Sequence, residues 1–202
     1  MLSPKFDEAL QYATLIHAGQ TRKGTEIPYV SHLLGVASIA MEHGADEEET
    51  IAALLHDAGE DAGGKGRIAD VRGRFGDRVA DLVLSCTDTL ETPKPPWRQR
   101  KKAYIAHVSE ASASARFVSA CDKLHNARAI LRDCRIHGQR IWSRFSGKKK
   151  GTLWYYRALV EAFRQAGSDA SRERNELVAE LDRVVTELER LATVPERHSA
   201  GR

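Results

Sequence analysis

The 202-residue chain has only three cysteines, and no two of them form a CxxC pair (Cys86, Cys121 and Cys134). An odd count without that spacing indicates neither a disulfide framework nor a thiolate zinc site. Apolar runs near the roughly 20 residues of a membrane-spanning helix are also absent. Charged residues occupy the N-terminal stretch where a signal peptide would be apolar. These absences predict a reduced, cytoplasmic protein without a membrane anchor.

Aromatic residues make up only 6% of the chain, so its core has to be built mainly from aliphatic side chains. Those side chains recur at helical spacing, beginning with Phe6, Leu10, Ala13 and Ile16. No segment shows the sustained apolar–polar alternation of a strand. Further helices are predicted over 97–108, 113–134 and 151–166, with breaks at 19–28, 62–66, 92–96 and 146–151. The predicted fold class is an all-α helical bundle, and no break is long enough to divide residues 1–195 into two domains.

The C-terminal segment 170–194 is predicted to be an amphipathic helix, followed by a frayed tail over 196–202. Its apolar residues step by four and three, as in a coiled-coil seam (Leu177, Leu181, Val184, Leu188 and Leu191). Because the seam is shorter than three heptads, we expect it to pack on its own domain. A homo-oligomer formed through this helix is the alternative.

The net charge of +3 conceals an uneven distribution of charged residues. Between Lys94 and Arg157 there are 16 lysines and arginines against three acidic residues (Glu110, Asp122 and Asp133). A basic middle on an acidic frame fits an anionic ligand, either nucleic acid or a phosphorylated small molecule. A plain solvated basic surface would give the same pattern.

Four polar side chains stand next to apolar helical residues, where an unpaired charge or imidazole is costly. His56 and Asp57 end an apolar helix, His32 opens the preceding helix, and Asp122 lies on a helix beside Phe117 and Val118. Two imidazoles and two carboxylates form a nitrogen–oxygen set that suits manganese, iron or zinc. Taken one at a time, each is more often a buried hydrogen-bonded group than a ligand.

Glu60 and Asp61 follow Asp57 closely and form a carboxylate pair. If Gly59 ends the helix, both acids are free to face a bound substrate, where they could position a water molecule and accept its proton. A solvated acidic turn is the alternative interpretation.

Several motifs in order along the chain resemble those of HD-domain phosphohydrolases. His32, His56-Asp57 and Asp122 reproduce the H…HD…D signature. The segments 19–23 and 28–32 resemble the GQxRK…PYxxH of alarmone hydrolases, and three further segments fit their HDxxED, FGxxVxxLV and DKLxN motifs (56–61, 75–83 and 122–126). The chain is thus similar to stand-alone small alarmone hydrolases and to the hydrolase domain of bifunctional Rel/SpoT-type enzymes. The run Lys148–Lys150 belongs to none of these motifs.

This resemblance implies a role for each matching residue. One Mn²⁺ ion would be held by His32, His56, Asp57 and Asp122, and the attacking water would be activated by Glu60 and Asp61. The purine alarmone would be contacted by Arg22, Lys23, Asn126 and Tyr155. The implied reaction removes the 3′-pyrophosphate of (p)ppGpp or of its adenosine analogue, giving GDP or GTP (or the adenosine equivalent) and pyrophosphate.

Two other functions stay open at this stage. The shared motifs also occur in enzymes that act on other nucleotides, such as the 2′-phosphate of NADPH or a nucleoside monophosphate. A non-catalytic RNA-binding module would use the basic middle and its interspersed aromatic side chains (Trp97, Trp142, Trp154 and Tyr155). The complete ligand set argues against that module, so nucleic acid is not the expected partner.

Overall fold

The computed structural model describes residues 2–167 and 171–193, except for the side chain of Asp61. Across these ranges the α-helices are α1 Pro4–Ile16, α2 Val30–Glu42, α3 Glu47–Leu55, α4 Ala58–Asp61, α5 Gly64–Phe75, α6 Asp77–Cys86, α7 Trp97–Glu110, α8 Ala113–His137, α9 Lys148–Gln165 and α10 Arg172–Thr193, with a 3₁₀ helix at Gly138–Arg144. Within the same ranges, strand-like pairing is limited to one isolated bridge between Thr21 and Pro28. The predicted all-α fold class is confirmed, and the predicted tail 196–202 lies outside the described residues.

Helix α3 forms the centre of the fold, packed against α1, α2, α6 and α8. Its start is fixed by a capping box, in which Asp46 accepts from the backbone N–H of Glu49 and the Glu49 side chain accepts from that of Asp46. Residues 50–55 are fully buried. The next residues, His56 and Asp57, therefore begin where this buried helix ends.

Two predicted breaks are shorter than the sequence indicated. Helix α5 begins at Gly64, so the predicted break at 62–66 shrinks to two residues, and α9 begins at Lys148 rather than at 151. At the first site Gly63 makes the turn with a φ of 138°, and the Arg67 side chain donates to the carbonyl of Ala62 (2.8 Å). This local hydrogen bond ties the first turn of α5 to the residue before Gly63, where glycine preferences alone predict a longer turn.

Helix α10 packs its apolar face against α8 and α9. The face is rotated slightly from the predicted seam, since Val185 and Ala192 are buried while Val184 and Leu191 are half-buried. The C-terminal carbonyls of α10 are capped from elsewhere: Gln139 donates to Leu191, and Lys149 donates to Ala192. One lysine of the unassigned Lys148–Lys150 run thus has a structural role. Among the described residues, no helix has the length and apolar character needed to cross a membrane.

Glu49 links the centre of the fold to α10. Its side chain is 1% exposed and accepts from Arg174 at 2.7 Å, and the Arg174 guanidinium lies 4.2 Å from the centre of the Phe117 ring. Removing one partner of a buried ion pair leaves the other charge desolvated. We expect Glu49→Ala to lower the free energy of unfolding by about 3 kcal/mol, near the lower end for such pairs because Arg174 is partly exposed.

Urea denaturation of Glu49→Ala against Glu48→Ala tests this. Glu48 is on the same first turn but pairs with Arg78 at the exposed surface, so its loss should cost less than about 1 kcal/mol. Equal losses in the two variants would show that the buried pair with Arg174 adds nothing.

Candidate active site

Four side chains from three places in the chain converge at the end of α3. His32 comes from the first turn of α2, His56 and Asp57 follow α3, and Asp122 lies in α8. His32 Nε2 is 3.2 Å from His56 Nε2 and 3.5 Å from Asp57 Oδ2. Asp122 Oδ1 lies 3.3 Å from His32 Nε2 and 3.5 Å from His56 Nε2. One atom each of His32, His56 and Asp57 lies within 4.8 Å of the other two, and Asp122 Oδ1 faces the two imidazoles.

Hydrogen bonds on the far side of both imidazoles fix which nitrogen faces this centre. His56 Nδ1 is 2.8 Å from the carbonyl oxygen of Ala53, which can only accept, so Nδ1 carries the proton. His32 Nδ1 is 2.8 Å from Nδ1 of His125. The first arrangement leaves the Nε2 lone pair of His56 for a metal ion, as is usual for histidine ligands, and the second leaves that of His32 when Nδ1 of His125 is the acceptor.

Both carboxylates are held by neighbouring donors. The hydroxyl of Tyr29 donates to Asp57 Oδ2 at 2.6 Å. The ammonium group of Lys123 lies 2.5 Å from Asp122 Oδ2, and the amide of Asn126 donates to Asp122 Oδ1. Asn126 is in turn held by Arg22, which donates to its amide oxygen. Asn126 was predicted to contact the substrate, and here it also connects Arg22 to a candidate ligand.

The electrostatics of the cluster favour a cation at its centre. Burial disfavours a charge on His56, but the carboxylates of Asp57 and Asp122 outweigh it and raise the pKa of that imidazole to about 10. Burial likewise opposes ionisation of the two carboxyls, yet their pKa values lie well below the usual range. For Asp57 the imidazole of His56 is the main cause, and for Asp122 the ammonium of Lys123 comes first.

The donor set fits one divalent transition-metal ion. Ligands bound at about 2.0–2.2 Å to a single ion lie roughly 3 Å from their neighbours, and the five separations here that involve an imidazole run from 2.9 to 3.5 Å. The set mixes two imidazoles with two carboxylates, which suits manganese, iron or zinc.

Two adjoining cavities open beside this centre, with volumes of about 880 and 290 Å³. Both are lined in part by Lys23, Asn126, Ile130, Phe145 and Tyr156. The larger also contains Arg22, and the smaller contains Glu60 and Tyr155. The residues predicted to bind substrate are therefore brought to one region.

The aromatic side chains proposed for an RNA-binding module are mostly packed inside the protein. Trp142 and Tyr155 are buried, and Trp97 and Trp154 pack against the core with their rings in edge contact. They do not form an exposed row on which bases could stack.

The acidic pair is arranged differently from the expectation. Gly59 does not end a helix. Instead the chain breaks at His56 and Asp57, and the short α4 then runs through Gly59, Glu60 and Asp61. Glu60 is paired with Lys94 at 2.8 Å. The side chain of Asp61 lies outside the described part of the chain.

A cluster of three cationic side chains beside the smaller cavity was not predicted from the sequence. Arg100 and Lys101, from the Arg98–Lys102 run, both contact the carboxylate of Asp88, and Lys123 lines the same smaller cavity. The sequence signalled this region only through its overall basic charge. Which lysines and arginines face the cavity depends on how α7 is rotated against α9.

The HD-domain family pattern matches residues 9–153 of the chain. The guanosine-3′,5′-bis(diphosphate) 3′-pyrophosphohydrolase MESH1 of Drosophila melanogaster is 36% identical over 144 residues, which are 70% of this chain and 75% of that protein. The Homo sapiens MESH1 is also 36% identical, over 62% of this chain and 69% of its own.

A solved structure of a metazoan ortholog of SpoT, which hydrolyzes ppGpp, superposes with a TM-score of 0.74. The match covers 93% of this chain and 97% of that one at 30% identity. The resemblance seen in the motifs is thus confirmed over most of the length of both proteins. The chain belongs to the HD-domain family, in the group that contains the MESH1 hydrolases.

Proposed function

We propose that this protein is a metal-dependent hydrolase that removes the 3′-pyrophosphate from (p)ppGpp or a related purine alarmone. The observation that carries the proposal is the convergence of His32, His56, Asp57 and Asp122 beside a cavity lined with cationic side chains. The activity in the names of the MESH1 relatives supports the same reaction.

In this reaction a water oxygen adds to the phosphorus esterified to the ribose 3′-oxygen. The P–O3′ bond breaks, the ribose 3′-oxygen takes up the proton that the water gives up, and the products are pyrophosphate and a nucleotide with a free 3′-hydroxyl. A divalent ion held by the four ligands would neutralise phosphate charge and lower the pKa of the attacking water. We assign Mn²⁺ as that ion, in keeping with the mixed nitrogen–oxygen ligands.

The chain's own residues divide the remaining work. Glu60 lies in the smaller cavity and would accept the proton of the attacking water, with Asp61 as its predicted partner. Lys101 and Lys123 would neutralise the charge of the pyrophosphoryl group under attack. Tyr155 is buried, and its hydroxyl has no hydrogen-bond partner among the described residues, which supports a contact with bound substrate.

Arg22 and Lys23 are proposed to hold the nucleoside end of the substrate in the larger cavity. We place the reaction in the cytoplasm, since all three cysteines are free and buried. We propose that residues 1–195 form one catalytic domain, which could assemble into a homo-oligomer.

Turnover of the purified protein with Mn²⁺ tests the proposal. The guanosine and adenosine tetraphosphate alarmones and NADPH are supplied separately, and products are resolved by ion-exchange chromatography. We expect pyrophosphate from an alarmone, and the faster base identifies the substrate. Release of inorganic phosphate from NADPH alone would assign the NADPH 2′-phosphatase reaction instead. No turnover of any of the three, with metal bound, would indicate hydrolysis of another nucleotide.

Lys101 gives the proposal a pH dependence. Burial and the nearby ammonium of Lys123 lower the pKa of Lys101 to about 8. The other charged and titratable groups close to it are Arg100, Asp88, Glu60, Asp122 and Tyr155. In the free enzyme Lys101 is cationic below pH 8 and becomes neutral above it. We therefore expect kcat/KM to fall by about tenfold between pH 8 and 9.5, because a charged hydrogen bond to phosphate is lost.

Lys101→Arg is the matched variant for this profile, since a guanidinium stays charged throughout that range. Its kcat/KM should remain level to pH 9.5. An unchanged fall in the variant would show that another group controls the alkaline side.

A further inference from the structure

Helices α2 and α8 cross at the candidate metal centre, and each contributes two residues there at a spacing of three. His32 and Gly35 lie on one turn of α2, and Asp122 and His125 lie on one turn of α8. His32 and Asp122 are candidate ligands. The His125 ring lies against both residues of the α2 pair: its Nδ1 is 2.8 Å from His32 Nδ1, and its far edge faces Gly35.

Gly35 provides the space that the His125 ring occupies. A Cβ atom at position 35 would lie 2.3 Å from both Cδ2 and Nε2 of His125. Cβ atoms essentially never come within 3.0 Å of a heavy atom outside their own residue's neighbours, so any larger residue would force the ring to turn or the helices to separate. Gly35 has an ordinary helical backbone, so its small size rather than its φ angle explains why it fits.

We propose that His125 is a positioning residue for metal binding and that Gly35 holds the space in which it acts. The N–H at Nδ1 of His32 donates to Nδ1 of His125, so the Nε2 lone pair of His32 is directed at the metal centre. Without this acceptor no hydrogen bond holds the His32 ring at its χ2 angle or keeps its proton on Nδ1. This inference rests on the metal centre of the proposed function and goes beyond it, because His125 has no role in the motifs.

His125 also lines the larger cavity, so a contact with the nucleotide is the competing explanation. The two explanations differ in the absence of nucleotide. A positioning role lowers the affinity for the metal alone, whereas a substrate contact changes only KM.

Mn²⁺ affinity, measured by the EPR signal of free Mn²⁺ without nucleotide, separates them. We expect His125→Phe to weaken Mn²⁺ binding by about 10–100-fold, the usual cost of losing the hydrogen-bond partner of a histidine ligand. His125→Asn should stay within a few-fold of the wild type, because its Oδ1 can accept at the position of the lost Nδ1. Unchanged Mn²⁺ affinity in His125→Phe would overturn the proposal.

Gly35→Ala provides a second test through the other helix. We expect a similar loss of Mn²⁺ affinity, and none from Gly73→Ala, a helical glycine whose Cβ would meet nothing within 4 Å. In a His125→Ala background, Gly35→Ala should cause no further loss, since the ring that its Cβ meets is gone. An additional loss there would mean that Gly35 acts through helix packing and not through His125.

These measurements do not depend on the substrate. If His125→Phe binds Mn²⁺ weakly while the wild-type protein binds it tightly but hydrolyses no alarmone, the positioning role stands and the proposed substrate is wrong. If the wild-type protein itself binds no Mn²⁺, the metal centre fails and the inference fails with it.

Discussion

Replacing Asp122 by asparagine should reduce hydrolysis by at least about a thousandfold. Asp122 supplies Oδ1 to the candidate metal centre, and its other oxygen faces the ammonium of Lys123. The amide keeps the size of the side chain but removes the charge that balances the bound ion. Metal-assisted activation of water lowers the activation barrier by several kcal/mol. Its loss therefore corresponds to three or more powers of ten in rate.

The measurement is kcat with saturating alarmone, together with Mn²⁺ affinity and the unfolding midpoint of the same sample. Asp133→Asn is the matched control for the affinity, because Asp133 lies further along α8 and pairs with Arg144 rather than with the metal centre. His56→Gln serves as a second variant that leaves the pair of Asp122 and Lys123 intact. Activity above a hundredth of wild type in a folded Asp122→Asn would remove Asp122 from the ligand set.

The positions of most helices could be predicted from local sequence patterns. The acidic residues from Asp46 to Glu49 mark the start of α3, and the helix predicted over 113–134 corresponds to α8. The ends of helices were less predictable. The start of α5 depends on Arg67 reaching back to the carbonyl of Ala62, a contact that turn preferences of glycines do not encode.

The candidate ligands were predictable by type but not by position in space. His32 and His56 are 24 residues apart, and Asp122 is 65 residues beyond Asp57, so nothing local brings them together. Family motifs supplied that connection, and the packing of α2, α3 and α8 accounts for it physically. The contacts of Tyr29 and His125 with the candidate ligands were not predicted, because they form only when the helices pack together.

The basic residues from Lys94 to Arg157 also show that the sequence does not predict where a side chain lies in space. The basic composition from Lys94 to Arg157 pointed to an anionic ligand, yet its members have different uses. Lys101 and Lys123 line the smaller cavity, whereas Lys149 caps the carbonyl of Ala192 at the end of α10. Charge counted along a sequence cannot separate these uses, since they depend on the direction each side chain takes from its helix.

Glu60→Gln should lower kcat by about 10²–10³-fold and leave Mn²⁺ affinity and KM within a few-fold of wild type. Glu60 lines the smaller cavity and is not one of the four converging ligands, so its loss leaves the metal centre intact. Glutamine keeps the shape of the side chain, and its amide oxygen can still accept from Lys94. What it cannot do is take a proton from water, and general-base catalysis contributes about 10²–10⁴-fold.

The matched control is Glu91→Gln, which makes the same change on an exposed residue of the loop that carries Lys94. It should leave kcat unchanged. Because a base acts on the chemical step, the loss in Glu60→Gln should appear equally in kcat and kcat/KM. Weakened Mn²⁺ binding in Glu60→Gln would instead place Glu60 among the residues that hold the metal. A wild-type kcat would transfer the role of base to another group, with Asp61 the next carboxylate to replace.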